Sequence, residues 1–354
     1  MTSYDHDGVQ VLIGDARDRI RDIPEATVQC VVTSPPYYGL RDYGVDGQIG
    51  LEPTMAEFIA TLVEVFREVR RVLRPDGTLW LNLGDSYVSP GSGGRDPERW
   101  PRQQRNQGST NATRKDQATD LPLKNMMGVP WRVAFALQDD GWILRQDIVW
   151  AKPNPMPESV KDRCTKAHEY IFLFAKSPRY YFDGEAIAEP VADSTVARLQ
   201  QPSLADQDGS FRVPGRRGIA MKAVPPAGWD TRPGSHSVLD HNRPGSQPTK
   251  YRAGEARDYE AKTLRNRRTV WTISPEPSSE NHFARFPSKL AELCIAAGSR
   301  PGDTVLDPFA GSGTTLHAAY RMERGALGIE LNPEYLPLIT GPLAQQVLRM
   351  ETAS

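Results

Sequence analysis

Two short segments hold residue types that could do chemistry. The first is Ser34-Pro35-Pro36-Tyr37, directly after the β-branched apolar run Val28–Thr33. Such a run reads as a buried strand, and proline, which has no N–H, ends its ladder. Two prolines fix the backbone and leave carbonyl oxygens without competing local donors, free to point into a cleft. Ser34 adds a hydroxyl and Tyr37 an aromatic face. This set suits holding a planar ring and accepting hydrogen bonds from an exocyclic amine. An amine conjugated to a ring is a poor nucleophile, and two acceptors on its hydrogens draw its lone pair out of conjugation. No covalent nucleophile is needed, so Cys30, Cys164 and Cys294 need no catalytic role.

The second segment is Thr304–Thr315: a strand ending in Asp307, the loop Pro308-Phe309-Ala310-Gly311-Ser312-Gly313, and a helix opening at Thr314. Gly311 and Gly313 let the backbone turn tightly and approach a ligand, and the helix N-terminus offers free N–H groups. Glycines alone could serve only to turn the chain. Here, however, the next strand ends in Glu330, about 20 residues beyond the loop, where nucleotide sites place a carboxylate on the ribose hydroxyls. A Walker-type loop is excluded because no Gly-Lys-Ser/Thr follows. The dinucleotide fingerprint lacks its third glycine, since position 316 is Leu. The site fits a nucleoside without a pyrophosphate, such as S-adenosylmethionine (SAM).

The elements that must position these segments follow from periodicity. Strands are expected at Val9–Ile13, Val28–Thr33, Thr78–Leu83, Trp142–Trp150, Glu169–Ala175, Thr304–Leu306 and Ala326–Ile329. Helices are expected at Ala16–Asp22, Thr54–Leu73, Pro130–Asp139, Phe286–Ala297 and Thr314–Met322. Alternating strands and helices imply a mainly parallel sheet flanked by helices. Residues 88–125, rich in Gly, Arg, Gln, Asn and Ser, read as a mobile loop, and periodicity fades again from 184 to 268.

The chain has 354 residues, 38% hydrophobic and 25% charged, which excludes disorder throughout. No apolar run reaches the roughly 20 residues that span a bilayer, and the polar N-terminus has no secretory signal. Three widely spaced cysteines argue against a disulfide framework or a zinc ribbon, and no metal site is expected. The formal charge of −1 hides a segregation: Phe211–Arg268 carries 13 Lys/Arg against 5 Asp/Glu, a net of +8, leaving about −9 on the rest. A basic segment on an acidic, cytoplasmic protein points to a polyanionic partner met at one place.

Together the segments resemble the amino-methylating DNA methyltransferases, whose catalytic motif is Ser/Asp/Asn-Pro-Pro-aromatic and whose SAM motif is Asp-x-Phe-x-Gly-x-Gly. The catalytic motif precedes the SAM motif, as in the permuted β-class of that family. Leu12-Ile13-Gly14-Asp15 resembles the strand end at the SAM adenine. Trp150–Pro157 and Cys164–Glu169 resemble the target-pocket segments, and Phe283–Leu290 the segment lining the methionine pocket. The resemblance covers residues 8–183 and 269–340. It implies a Rossmann-like seven-stranded SAM-methyltransferase sheet, circularly permuted, with a catalytic half at 1–183, a SAM-binding half at 269–354, and an inserted target-recognition module at 184–268. It implies that Ser34, Pro35, Pro36 and Tyr37 are catalytic. Asp15, Thr33, Lys289, Asp307, Pro308, Phe309, Ala310, Gly311, Ser312, Gly313, Thr314, Glu330 and Asn332 would hold SAM, with Lys289 on its carboxylate. The target base must be flipped out of duplex DNA. In the inserted module Arg212, Arg216, Arg217, Arg232, Arg243, Arg252 and Arg257 would meet phosphate or guanine.

Within the family, Ser34 favours cytosine N4 as the target, where aspartate is more typical of adenine N6. RNA or protein amide N-methylation, a nicotinamide dehydrogenase and a non-catalytic DNA-binding module are weaker readings. The motif order and the Ser at position 34 weigh against the first of these, the missing third glycine against the second, and the presence of both motifs against the third. A cognate restriction endonuclease and a monomeric or homodimeric state are compatible with the resemblance.

Overall fold

The computed structural model describes residues 2–6, 8–39, 47–88, 121–192, 264–276 and 286–351. The chain divides into two compact units: Met1–Asp183 with Arg268–Ser354, and Gly184–Arg267. In chain order the described elements are β1 (Thr2–His6), β2 (Val9–Ile13), α1 (Ala16–Arg19), β3 (Val28–Thr33), α2 (Met55–Val72), β4 (Leu73–Leu83), α3 (Val129–Asp139), β5 (Ile143–Ala151), β6 (His168–Ala175), β7 (Glu189–Pro190), β8 (Leu264–Arg265), β9 (Val270–Thr272), α4 (Ser288–Gly298), β10 (Thr304–Asp307), α5 (Thr314–Arg321), β11 (Gly325–Glu330) and α6 (Leu336–Glu351).

The first unit is built on a nine-stranded sheet in the order β1-β2-β11-β10-β3-β4-β6-β5-β9. Its seven central strands are those expected from periodicity. The two additions are edges that periodicity passes over. β1 is a polar run that turns back onto β2 at Gly8, where φ is +77°. β9 is three residues long and buries only Trp271. β2, β11, β10, β3 and β4 run parallel. β6 is antiparallel to both neighbours, β4 and β5. The physical reason is that residues 152–167, joining β5 to β6, contain no helix, so the chain returns as a hairpin rather than a crossover.

The permuted order is visible in the sheet. β10, late in the chain, lies between β11 and β3, so the C-terminal strands complete a sheet begun by the N-terminal ones. Helix α2 opens with a reciprocal capping box between Thr54 and Glu57 and buries Phe58, Leu62, Val65, Phe66, Val69 and Val72 along one stripe. Each such side chain contributes roughly 1.5–3 kcal/mol on burial. That stripe shares a core with Val31, Leu79, Leu81 and Leu83 of the sheet. The alternate side chains Cys30, Thr78 and Trp80 face α4 instead, and a Cβ on Gly298 would lie 2.6 Å from Cys30 Sγ and 2.8 Å from Trp80 Nε1. The sheet is therefore covered on both faces, as a parallel sheet requires.

In the second unit β7 pairs antiparallel with β8, and Arg265 meets Glu189 at 3.0 Å. Arg212, Arg216, Arg217, Arg232, Arg243, Arg252 and Arg257 lie outside the described residues, as does 89–120 of the expected loop. Among the described residues no helix is long and apolar enough to cross a membrane.

Candidate active site

The carboxyl ends of β2, β3, β10 and β11 converge on one cleft, as open α/β sheets dictate. Asp307 ends β10 and is buried. Its Oδ1 accepts from Thr33 Oγ1 at 2.6 Å and from the Phe309 N–H at 3.0 Å. The Thr33 bond ties β3 to β10 across the sheet, and Thr315 Oγ1, donating to the Val32 carbonyl at 3.1 Å, locks the start of α5 to the same strand. The loop turns at Gly311 and Gly313, with φ of +54° and +82°. Gly313 is the N-cap of α5, and a Cβ there would press on Ile339 at 3.1 Å. The position therefore needs glycine for both its conformation and its space.

Glu330 ends β11. Its Oε2 accepts from the Gly311 N–H and its Oε1 from the Asn332 N–H, both at 2.8 Å. Burial raises the Glu330 carboxyl to about 7, against the pull of these two donors. Burial raises Asp307 to about 6, against the Thr33 and Phe309 donors. Ser312 Oγ is buried beside them with no hydrogen-bond partner. A buried hydroxyl left unpaired is costly and is expected where a ligand completes the bond.

Asp15 follows β2 and caps α1 by accepting from the Arg17 N–H at 2.8 Å. It also pairs with the Arg17 guanidinium at 2.5 Å. Burial pushes its carboxyl upward, but the Arg17 side chain and backbone together hold it below the usual range.

Ser34, Pro35, Pro36 and Tyr37 follow β3 and line the same cleft. Pro35 is buried, while Ser34, Pro36 and Tyr37 are half-buried. The Tyr37 hydroxyl donates to Glu169 Oε2 at 2.7 Å. Burial, then the Glu169 charge, keeps the phenol protonated, with Ser34 acting the other way.

Of the residues expected at the cofactor, Asp15, Asp307, Pro308, Phe309, Ala310, Gly311, Ser312, Thr314, Glu330 and Asn332 line the cleft. Thr33 sits behind it, holding Asp307, and Gly313 shapes the turn without facing the space. Lys289 is not brought to the cleft. It is exposed on α4, 3.7 Å from Glu292, because the first turn of that helix aims it to solvent while Leu290 and Ala291 point inward. Phe286, Gln48, Ile49 and Tyr335 also line the cleft. Of these only Phe286 lay in a segment with a sequence signal, Phe283–Leu290, of which 283–285 fall outside the described residues. Asn82 and Lys152, which join Glu169 behind Tyr37, carried no individual signal.

Comparison with known proteins agrees with this architecture. The family model of the N6_N4_Mtase DNA methylases matches residues 28–341. The Type II methyltransferase M.SmaI of Serratia marcescens is 42% identical over 93% of this chain and 88% of its own. Among solved structures, the PvuII DNA methyltransferase (cytosine-N4-specific) superposes with a TM-score of 0.57 at 19% identity, covering 96% of this chain and 87% of that one. A DNA modification methylase from Thermus thermophilus, complexed with S-adenosyl-L-methionine, reaches a TM-score of 0.50 at 24% identity, covering 95% of each chain. The chain belongs to the N6_N4_Mtase family of DNA methylases.

Proposed function

We propose that this methylase transfers a methyl group from SAM to the exocyclic N4 amine of cytosine flipped out of duplex DNA. The observation that carries the reading is the meeting of the Ser34–Tyr37 turn and the 307–313 loop, remote in sequence, around one cleft. The fit to SAM rests on the donor set. Two buried carboxyls, an unpaired buried hydroxyl and loop backbone suit a ligand with ribose hydroxyls and positive charge, and would repel a pyrophosphate. Glu330 would take the ribose hydroxyls, and Asp15 would lie near the adenine amine. The loop from Pro308 to Thr314, with Asn332, would enclose the rest.

SAM supplies an electrophilic methyl group on a sulfonium. The chain's own part is to present the amine. Ser34 and the Pro35 carbonyl accept from its two hydrogens and turn its lone pair out of conjugation. The nitrogen sheds one of its two protons once methylated. The Tyr37 ring stacks on the base and returns roughly 1–3 kcal/mol of the unstacking cost. Ser34 in place of aspartate supports cytosine over adenine, as does the cytosine-N4 specificity in the PvuII enzyme's name.

Residues 184–268 serve in this reading as the target-recognition module, with the seven arginines on the DNA. Deleting 211–262 is expected to abolish DNA binding and spare SAM binding, and unchanged DNA affinity would refute the module. A cognate endonuclease goes with the Type II methyltransferase names of the relatives, and a cytoplasmic site with a chromosomal substrate. The test of the reaction is mass spectrometry of nucleosides from unmethylated DNA incubated with protein and SAM. N4-methylcytosine is expected. N6-methyladenine would overturn the base assignment, and the absence of both products, with SAM bound, would overturn DNA as the substrate.

A further inference from the structure

Behind the catalytic turn lies a polar cluster assembled from four separate stretches of chain. Glu169, on β6, accepts the Tyr37 hydroxyl on Oε2 at 2.7 Å, and the same oxygen accepts from Asn82 Nδ2 of β4 at 3.2 Å. Asn82 is held in turn by the Tyr170 carbonyl at 3.1 Å. The other carboxylate oxygen takes Lys152 Nζ, just beyond β5, at 2.5 Å. That ammonium lies 4.3 Å from the centroid of the Trp150 ring. Trp150 is itself buried, with its indole N–H on the Ile273 carbonyl at 2.8 Å. On the other side Tyr37 lies against Gly84, where a Cβ would come within 2.7 Å of ring atom Cε2.

A bond between Lys152 and Glu169 alone would only fasten the end of β5 to β6, whose Trp150 and Glu169 already pair in register. It would leave the second carboxylate oxygen to solvent. Instead that oxygen is aimed at the one polar atom of the aromatic residue in the catalytic turn. A hydrogen bond from a neutral hydroxyl to a carboxylate is short and about twice as strong as a neutral one. With Gly84 against the ring and Glu169 at its tip, the Tyr37 ring has two fixed points and one plane.

We propose that Glu169, clamped by Lys152 and Asn82, is a positioning residue that sets the plane of Tyr37 and through it the pose of the flipped base. The inference rests on the methyl-transfer reading above. Small errors of placement are costly in group transfer, where a displacement of about 1 Å can cost about 100-fold.

The test is a double-mutant cycle on the full-length protein with a duplex that the wild type methylates, read by single-turnover methylation rate, SAM affinity and melting temperature. Glu169→Gln is expected to lower the rate about 10-fold or more, with SAM affinity within twofold of wild type. In a Tyr37→Phe background, where the bond to Glu169 is already gone, the same change is expected to cost less than about twofold. Lys152→Met, which loosens the carboxylate from its other side, is expected to depend on Tyr37 in the same way, and it keeps the cycle readable should Glu169→Gln fail to fold. Equal fold-losses in both backgrounds would overturn the inference while leaving the function standing. A wild-type protein that methylates no DNA would overturn the functional reading and this inference with it.

Discussion

Asp307 and Glu330, at the ends of β10 and β11, meet only hydroxyl and backbone N–H donors among the described residues. Asp15 and Glu169, which also border the cleft or its turn, each hold a cation, Arg17 and Lys152. The consequence is opposite proton affinity: burial lifts Asp307 to about 6 and Glu330 to about 7, while Arg17 holds Asp15 low. A carboxylate paired inside the protein is spent on the fold. One left with only neutral donors still gains from a cationic or hydroxyl-bearing ligand. The C-terminal side of the cleft is thus arranged to respond to a cofactor, and the N-terminal side to hold a shape against which a base is placed.

The largest effect that could break this division is on the catalytic turn. Ser34→Ala or Tyr37→Ala is expected to slow methyl transfer by about 100-fold, the scale of losing one well-placed hydrogen-bonding or stacking group, with SAM affinity nearly unchanged. Calorimetric loss of SAM binding in either variant would show that the two sides are not separate. Next, Glu330→Ala removes a charged acceptor worth roughly 1.5–3 kcal/mol, so SAM binding should weaken about 10- to 100-fold. DNA affinity, measured by fluorescence anisotropy, should stay as it was.

A pH series sharpens the same point. The folded Glu330 carboxyl is raised from 4.5 to about 7 by burial, so the unliganded protein favours its protonated form. That contribution to stability is full below 4.5 and is lost as pH rises through about 7. A ligand that needs the ionised carboxylate must release that proton, so SAM should bind about 10-fold more tightly at pH 8 than at pH 6. Glu330→Gln should flatten the profile, and a flat profile in the wild type would contradict the role. The smallest effect is at Arg17, a half-exposed cation on Asp15 and on the Gly47 carbonyl. Arg17→Met is expected to cost about 1 kcal/mol or less of stability, since solvent screens such pairs. The measurement is a melting curve, and a drop of several kcal/mol would mean that the pair does more than trim the cleft.

Much of the fold was legible because it rests on local pattern. The stripe from Phe58 to Val72 has helical spacing, and Val28–Thr33 and Thr304–Asp307 are apolar runs closed by prolines or glycines. The polar edge strand β1 and the three-residue β9 were not legible, because their pairing partners rather than their own composition make them strands. Lys289 illustrates the same limit at the site: its neighbourhood in sequence is that of the cleft, but the helical turn it sits on faces away.

The sequence by itself determined the chemistry on offer: a proline-held pair of acceptors with an aromatic ring, and a glycine loop between two carboxylates on successive strands. Both are short-range features, written in residues a few positions apart. Only the tertiary structure decided that they meet, since Thr33 and Asp307 come within 2.6 Å through the insertion of β10 beside β3. It also decided which carboxyls find a cation and which do not, because burial and pairing depend on neighbours tens to hundreds of residues away along the chain. Tyr37 shows this most directly, gaining Glu169 from 132 positions along the chain.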